Sequence, residues 1–219
     1  MSPSAPALPP EEGIDLLRRA AEEEEPLSGL TLEGLVLTGE DLSGLELRDV
    51  TLHHCRFPGC SWTGVSFTDV VFHTCDLSGG CFDSVFFLRA ALTDCRASGI
   101  RLQRCRMRQV KLDDCRLSEA DFTGCKLQNT GFSRCKLEHA RFPQSHFSRV
   151  TFAHCDLTGA NFVHTMLKDI DLTTCGIDAI TLSESCAELR GAVVDLWQAA
   201  GLARRLGLII KEPEEIPHG

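Results

Sequence analysis

The sequence predicts an all-β solenoid, a four-sided β-helix of about seven to eight turns, with a helical arm before it and a helix after it. Three observations carry that prediction. Large apolar residues recur every five positions from Leu32 to Leu182. Small or β-branched residues recur two positions before each of them. Seven cysteines, Cys55, Cys75, Cys95, Cys115, Cys135, Cys155 and Cys175, recur at one fixed interval, four such periods long, in an unbroken row.

The leading register holds 31 consecutive positions, of which 27 are Leu or Phe, and only Ala97 is not bulky. The register two residues earlier runs from Leu35 to Ile180, holds ten cysteines and has one charged member, Glu40. The other three positions of each five are mostly polar. A period of five fits neither the 3.6 of a helix nor the two of a plain strand. It fits a chain that turns a corner every five residues, with positions two apart facing the same way. Four corners close one turn, and stacked turns pair through the backbone about 4.8 Å apart. The cysteine row then marks one inward position per turn.

The N-terminal unit, residues 1–31, reads as a disordered arm over 1–10 followed by a short helix over 11–25. Four prolines and little apolar surface argue for disorder in the arm. Ile14, Leu16, Leu17, Ala20 and Ala21 give the helix an apolar side. Glu22 to Glu25 oppose the macrodipole at its C-terminal end and favour fraying. This segment reads either as a solvated acidic arm or as a cap over the first turn. The solenoid occupies residues 32–184.

Periodicity changes after Leu182, and residues 185–219 form a third unit. Ser185 and Glu188 have capping-box spacing, so a helix is expected from Ser185. Leu189, Val193, Leu196, Ala200 and Ala203, widened by Ala192 and Trp197, make its apolar stripe. Gly201 kinks or ends it, and Leu206 to Ile210 read as a short strand, with Pro213 and Pro217 beyond. The stripe and strand exceed what one cap needs. The expected outcome is a symmetric homodimer through Leu189, Val193, Leu196, Trp197, Leu208 and Ile210, with a monomeric cap as the alternative.

The chain has 219 residues, no Tyr and a net charge of −9. Residues 1–31 carry seven acids against two bases, whereas residues 32–183 carry 18 against 16. The acidity therefore belongs mostly to the N-terminal arm. Residues 1–13 lack the basic and apolar regions of a secretory signal. No apolar run nears membrane-spanning length. The expectation is a cytoplasmic protein with reduced thiols. His53, His54, His73 and His154 stand close to cysteines, but inward cysteines one per turn cannot converge tetrahedrally on a metal. Parallel in-register side chains also resist disulfide geometry. The cysteines read as small, polarisable core residues, and no cofactor or metal is expected.

The five-residue pattern resembles the pentapeptide-repeat family, whose consensus is A-[D/N]-L-x-x. Ala120-Asp121-Phe122-Thr123-Gly124 and Ala160-Asn161-Phe162-Val163-His164 match it closely. The resemblance implies a right-handed quadrilateral β-helix. A solenoid followed by a helix and a short apolar strand is similar to the branch of Qnr-type and mycobacterial quinolone-resistance proteins. That likeness implies a non-enzymatic rod-shaped dimer that binds DNA gyrase or topoisomerase IV, protects it from quinolones or toxins, and acts as a mimic of duplex DNA. The alternatives are a general scaffold for another partner, or a polyanion binder. No catalytic motif is visible.

One surface feature departs from the consensus. The position before each large apolar residue is basic at Arg96, Arg101, Arg106, Lys111 and Arg116, with Lys136 further on. This belt at 96–116 is the candidate partner-binding surface. It can touch phosphates, but with aromatics mostly inward it has little to read bases with, so nucleic acid is not the expected partner.

Overall fold

The computed structural model describes residues 7–205 and 207–211. The first six residues of the expected disordered arm, Leu206, Pro213 and Pro217 lie outside the described residues.

The chain winds as a parallel β-solenoid with four sides. Along one side Val36, Arg56, Asp76, Arg96, Arg116, Lys136, Asp156 and Gly176 pair in sequence, each one full turn after the last. The second bridged side is spaced the same way through Ser61, Cys81, Arg101, Asp121, Arg141 and Asn161. The other two sides are regular short strands, at 66–68, 86–88, 106–108, 126–128 and 146–148, and at 71–73, 91–93, 111–113, 131–133 and 151–153. We call these the first and second strand faces.

Every fifth residue turns the corner in the left-handed region. From Gly29 to Asp169 the corner position has positive φ whether it is Gly, as at Gly59 (68°), or not, as at Arg104 (58°) and Asn129 (51°). L-residues in that region cost energy, and Asp, Asn, His and Gly bear it best. Most corner N–H groups are nonetheless satisfied by the next turn, as Gly59 N–H is by Ser78 C=O at 2.9 Å.

The interior is as expected. Every position of the leading register is buried except Phe147 and Leu182, which are half-buried. Every position of the second register is buried except Glu40. Stacking of turn on turn sets rings in columns: Phe122, Phe142 and Phe162 lie 4.7 and 5.2 Å apart with planes within 7°. At about 1.5–3 kcal/mol per buried large side chain, this column dominates stability. Ala97 lines an apolar cavity of about 10 Å³ with Phe82, Leu102 and Met107, space that stays dry for want of polar partners.

The N-terminal end differs from expectation in three ways. Strand β1, Ala7–Leu8, pairs in parallel with Thr31 and Leu32, so part of the expected disordered arm is ordered. Helix α1, Pro10–Glu23, is a cap: Leu17 and Ala20 are buried, and a Cβ at Gly13 would come within 2.9 Å of Leu35 Cδ2. Glu24, in the left-handed region, ends the helix two residues early. Strand β2, Leu27–Glu33, already pairs with β3, Glu46–His53, so the solenoid starts at Leu27 rather than Leu32. Together β1 and α1 cover an edge that would otherwise pair with another chain. Glu40, the charged exception in the core register, takes two hydrogen bonds from Arg18 of α1, at 2.9 and 2.5 Å.

The C-terminal end is the larger correction. No helix starts at Ser185. Ala187–Leu189 form a single 3-10 turn, and the chain re-enters the solenoid with a two-residue slip, Asp171 pairing with Val193. Helix α2 runs from Leu196 to Arg205, straight through Gly201. Its capping box is Asp195 with Gln198: Gln198 N–H donates to Asp195 Oδ1 at 2.8 Å and Asp195 N–H to Gln198 Oε1 at 2.9 Å. Gln198 Nε2 also donates to Leu172 C=O and Cys175 C=O, both at 2.8 Å, which ties α2 to the last turn. Residues 208–210 form no strand among the described residues.

Candidate interaction surfaces

A filled rod leaves its surface and ends as places for function. The six bases of the expected belt do not lie together. Arg96, Arg116 and Lys136 stack on one bridged side, between Asp76 and Asp156, and Lys136 Nζ lies 3.8 Å from Asp156. Arg101 is on the neighbouring side, paired to Asp83 at 2.8 Å and donating to Cys81 Sγ at 2.7 Å. Arg106 lies on the first strand face and Lys111 on the second, on the same short strand as Asp113.

What the spacing does assemble is a different set. On the first strand face and its flanking corners, segments 84–89, 104–109, 124–129 and 144–149 contain Arg89, Arg104, Arg106, Arg108, Lys126 and Arg149 and no acid. All six bases are exposed. Asp94, Asp113, Asp114, Glu119 and Asp121 lie on the other three sides, while Glu46 and Asp69 stand on this side in the turns before residue 84. Arg89 pairs with Asp69 at 2.6 Å, and Arg149 donates to Asn129 Oδ1 at 2.5 Å. Among the described residues Arg104, Arg106, Arg108 and Lys126 make no ion pair. The exposed Phe86 pairs in register with Arg106, and Leu88 with Arg108.

The expected dimer residues also divide. Leu189 is half-buried against the core of its own chain, whereas Val193, in the last rung, is 48% exposed. Leu196 (80% exposed), Trp197 (83%), Leu208 and Ile210 are uncovered, and so is Ile209 (90%). Trp197 borders a cleft of about 740 Å³ between α2 and the last turn, which Asp178, Asp195 and Arg205 also line.

The cysteines are free thiols, ten of them buried. They do more than fill space. Cys75, Cys115 and Cys135 each donate to a carbonyl of the turn before, at 3.4 Å. In another column Cys105 and Cys125 do the same at 2.9 and 2.8 Å, and Ser145 takes that role further along, donating to Phe122 C=O at 2.7 Å. A neighbouring thiol one turn back, and then burial, push Cys75 and Cys135 up to about 12 and Cys155 up to about 11. Among the described residues no three His, Cys, Asp or Glu side chains are placed to hold a metal ion. No helix among them is long and apolar enough to cross a membrane.

This geometry agrees with the comparisons. The family description "Pentapeptide repeat region" matches residues 65–142, and "Pentapeptide repeats (8 copies)" matches residues 131–169. Pentapeptide repeats are thus recognised over residues 65–169 of the chain. Among solved structures, a trypsin-treated variant of QnrB1, a plasmid-mediated fluoroquinolone resistance protein, is 22% identical. The match covers 85% of this chain and 99% of that one, with a TM-score of 0.50. A pentapeptide-repeat protein from the Arabidopsis thaliana thylakoid lumen is 24% identical over 43% of this chain and 66% of its own, with a TM-score of 0.41. At these identities the likeness concerns the pentapeptide-repeat fold. No curated protein matches the sequence.

Proposed function

We propose that the chain is a non-enzymatic protein-interaction module that binds a type II topoisomerase, DNA gyrase or topoisomerase IV, and protects it from quinolones or toxins. The observation that carries this reading is the agreement of the rod with QnrB1 over nearly the whole of that protein. A solenoid filled with side chains also favours recognition by its outer faces over chemistry in an interior site. The working form is a homodimer joined at the C-terminal ends. Leu196, Trp197, Leu208, Ile209 and Ile210 are apolar and uncovered there, a cluster that a lone soluble chain rarely leaves bare. Duplex mimicry is the finer form of the reading, and it predicts that duplex DNA competes with the chain for gyrase.

The test is a gyrase supercoiling assay with ciprofloxacin. Purified protein should restore supercoiling, and immobilised protein should retain gyrase. Failure of both removes the topoisomerase reading and leaves a scaffold for another partner. Light scattering should give twice the chain mass, and Trp197→Ala with Ile210→Ala should give the monomer. A wild-type monomer at micromolar concentration removes the dimer.

A further inference from the structure

We propose that the basic patch on the first strand face binds single-stranded nucleic acid, with Arg104, Arg106, Arg108 and Lys126 on phosphates and Phe86 as a stacking surface for a base. This goes beyond the topoisomerase reading and does not depend on it.

The argument starts from what the solenoid offers every surface charge. Each outward residue has neighbours one turn before and one turn after, a single rung or about 4.8 Å away. Other bases of this chain use them for compensation. Arg89 meets Asp69, and Arg134 meets Asp114 at 2.8 Å, in each case one turn earlier. Arg101 meets Asp83. Around Arg104, Arg106, Arg108 and Lys126 the same positions hold nothing acidic. Arg106 lies between Phe86 and Lys126, and Arg108 between Leu88 and Gln128. Arg104 lies between Ser84 and Gly124 at the corresponding corners. Arg106 and Lys126 are therefore like charges one rung apart with no counter-ion from the chain, and they repel. A bound polyanion turns that repulsion into attraction.

The spacing suits a chain of phosphates better than a lone anion. Arg106 and Arg108 alternate along one strand about 6.6 Å apart, with Arg104 at the corner before them and Lys126 one rung on. Three of the four are Arg, whose planar fork takes phosphate oxygens in pairs. Phe86 distinguishes nucleic acid from an acidic peptide. It is exposed on the same face, one rung from Arg106, with Leu88 two residues along the strand. Cationic residues around an exposed ring on a flat sheet form the arrangement that holds single strands, where every base has a face to stack. A flat face with no projecting helix or ribbon does not enter a duplex groove.

The test is fluorescence anisotropy of the full chain with a labelled oligothymidylate of about 20 nucleotides, titrated from low to moderate salt. Four phosphate contacts predict a slope of log K against log salt near −3. Arg104→Glu, Arg106→Glu and Arg108→Glu combined should abolish binding. Phe86→Ala should weaken it about 5-fold or more. Arg96→Glu with Arg116→Glu, on a different side, should leave it within about 2-fold, and circular dichroism should be unchanged in all three variants. No binding at low salt overturns the proposal. So does binding that survives the triple variant. Equal affinity for a polyglutamate of matched charge, with no dependence on Phe86, assigns the face to acidic protein segments and also overturns it. Gyrase protection is read in a separate assay, so either reading can fail while the other stands.

Discussion

Removing the Glu188 carboxylate should open the C-terminal end of the solenoid while leaving its middle intact. In a regular turn each corner N–H donates to a carbonyl of the following turn, as Gln144 N–H does to Val163 C=O at 3.0 Å. At His164 a side chain takes the place of that carbonyl, because the chain slips by two residues after Ser183. Glu188, only 2% exposed, replaces the missing rung. Its Oε1 accepts from His164 N–H at 2.8 Å and Ser183 N–H at 3.2 Å, and its Oε2 accepts from Ser183 Oγ at 2.9 Å. Glu188→Ala orphans two amides at about 1–3 kcal/mol each, partly recovered by water, for a loss of roughly 2–3 kcal/mol. Native-state hydrogen exchange should then show His164 and Ser183 exchanging about 30- to 150-fold faster, with amides of the middle turns unchanged. Glu188→Gln keeps an acceptor at Oε1 and should change the same amides by less than about 10-fold. The pH dependence has a definite sign. Burial raises the Glu188 pKa, but the bonds from the His164 and Ser183 backbone outweigh it and hold the carboxyl below its usual value of 4.5. Its contribution is therefore complete above that value and is lost as pH falls through the lower folded one. The Gln variant should lack that acid-sensitive component. Unchanged protection at His164 and Ser183 in the Ala variant would refute the reasoning.

Three further outcomes follow from particular contacts. Gln198→Ala removes the side-chain half of the capping box and both anchors to the last turn, and should undock α2, seen as proteolysis after Arg204 or Arg205 with residues 32–180 resistant; equal resistance in both proteins counts against it. The Trp62 indole N–H is buried with no partner, so Trp62→Phe should change stability by less than about 1 kcal/mol, whereas Trp62→Ala should cost about 3–5 kcal/mol; a loss above about 2 kcal/mol for Phe means the N–H is satisfied. A thiol reagent under native conditions should label Cys81 and Cys186, the two partly exposed cysteines, long before the ten buried ones. Because Cys75 and Cys135 are raised to about 12, their contribution is complete below the ordinary thiol value of 9.0 and is lost as pH rises towards 12. Equal labelling of all twelve, or flat stability across that window, would contradict the buried ladder.

The middle of the fold was legible because its information is local and repeated. One phase of five specifies which residues face inward, and 29 of the 31 leading positions are buried. Leu27 stands five before Leu32, so the earlier start was also written in the register. The ends were less legible because they depend on contacts distant in sequence. Two segments have capping-box spacing, Ser185 with Glu188 and Asp195 with Gln198. Local pattern cannot choose between them. The choice follows from the orphan amides at His164 and Ser183, which recruit Glu188 and leave Asp195 to start the helix. The thiol donation to carbonyls of the preceding turn was likewise hidden, since a core Cys and a core Ala look alike in a hydrophobic pattern. Ser145 and Thr165 in the same column were the available clue, because a buried hydroxyl implies an acceptor.

Charge on a solenoid is set by a different period from the core, and this is why the basic surface moved. Consecutive repeats, which make Arg96 to Arg116 look like a cluster, fall on successive sides and face apart. Residues a full turn apart, which look unrelated in sequence, are neighbours. Asking of each base what stands one turn away separates the paired from the bare: Arg89 and Arg134 find Asp, while Arg104, Arg106 and Arg108 find Ser or Gly, Phe or Lys, and Leu or Gln. A substitution at one outward position changes one side only, since the core register beneath it is untouched. The four sides can therefore carry independent chemistries on one scaffold, and a net charge of −9 constrains none of them singly. A partner surface on such a rod is defined by its column, and from Phe86 to Lys126 the column centred on Arg106 carries bases without an acid.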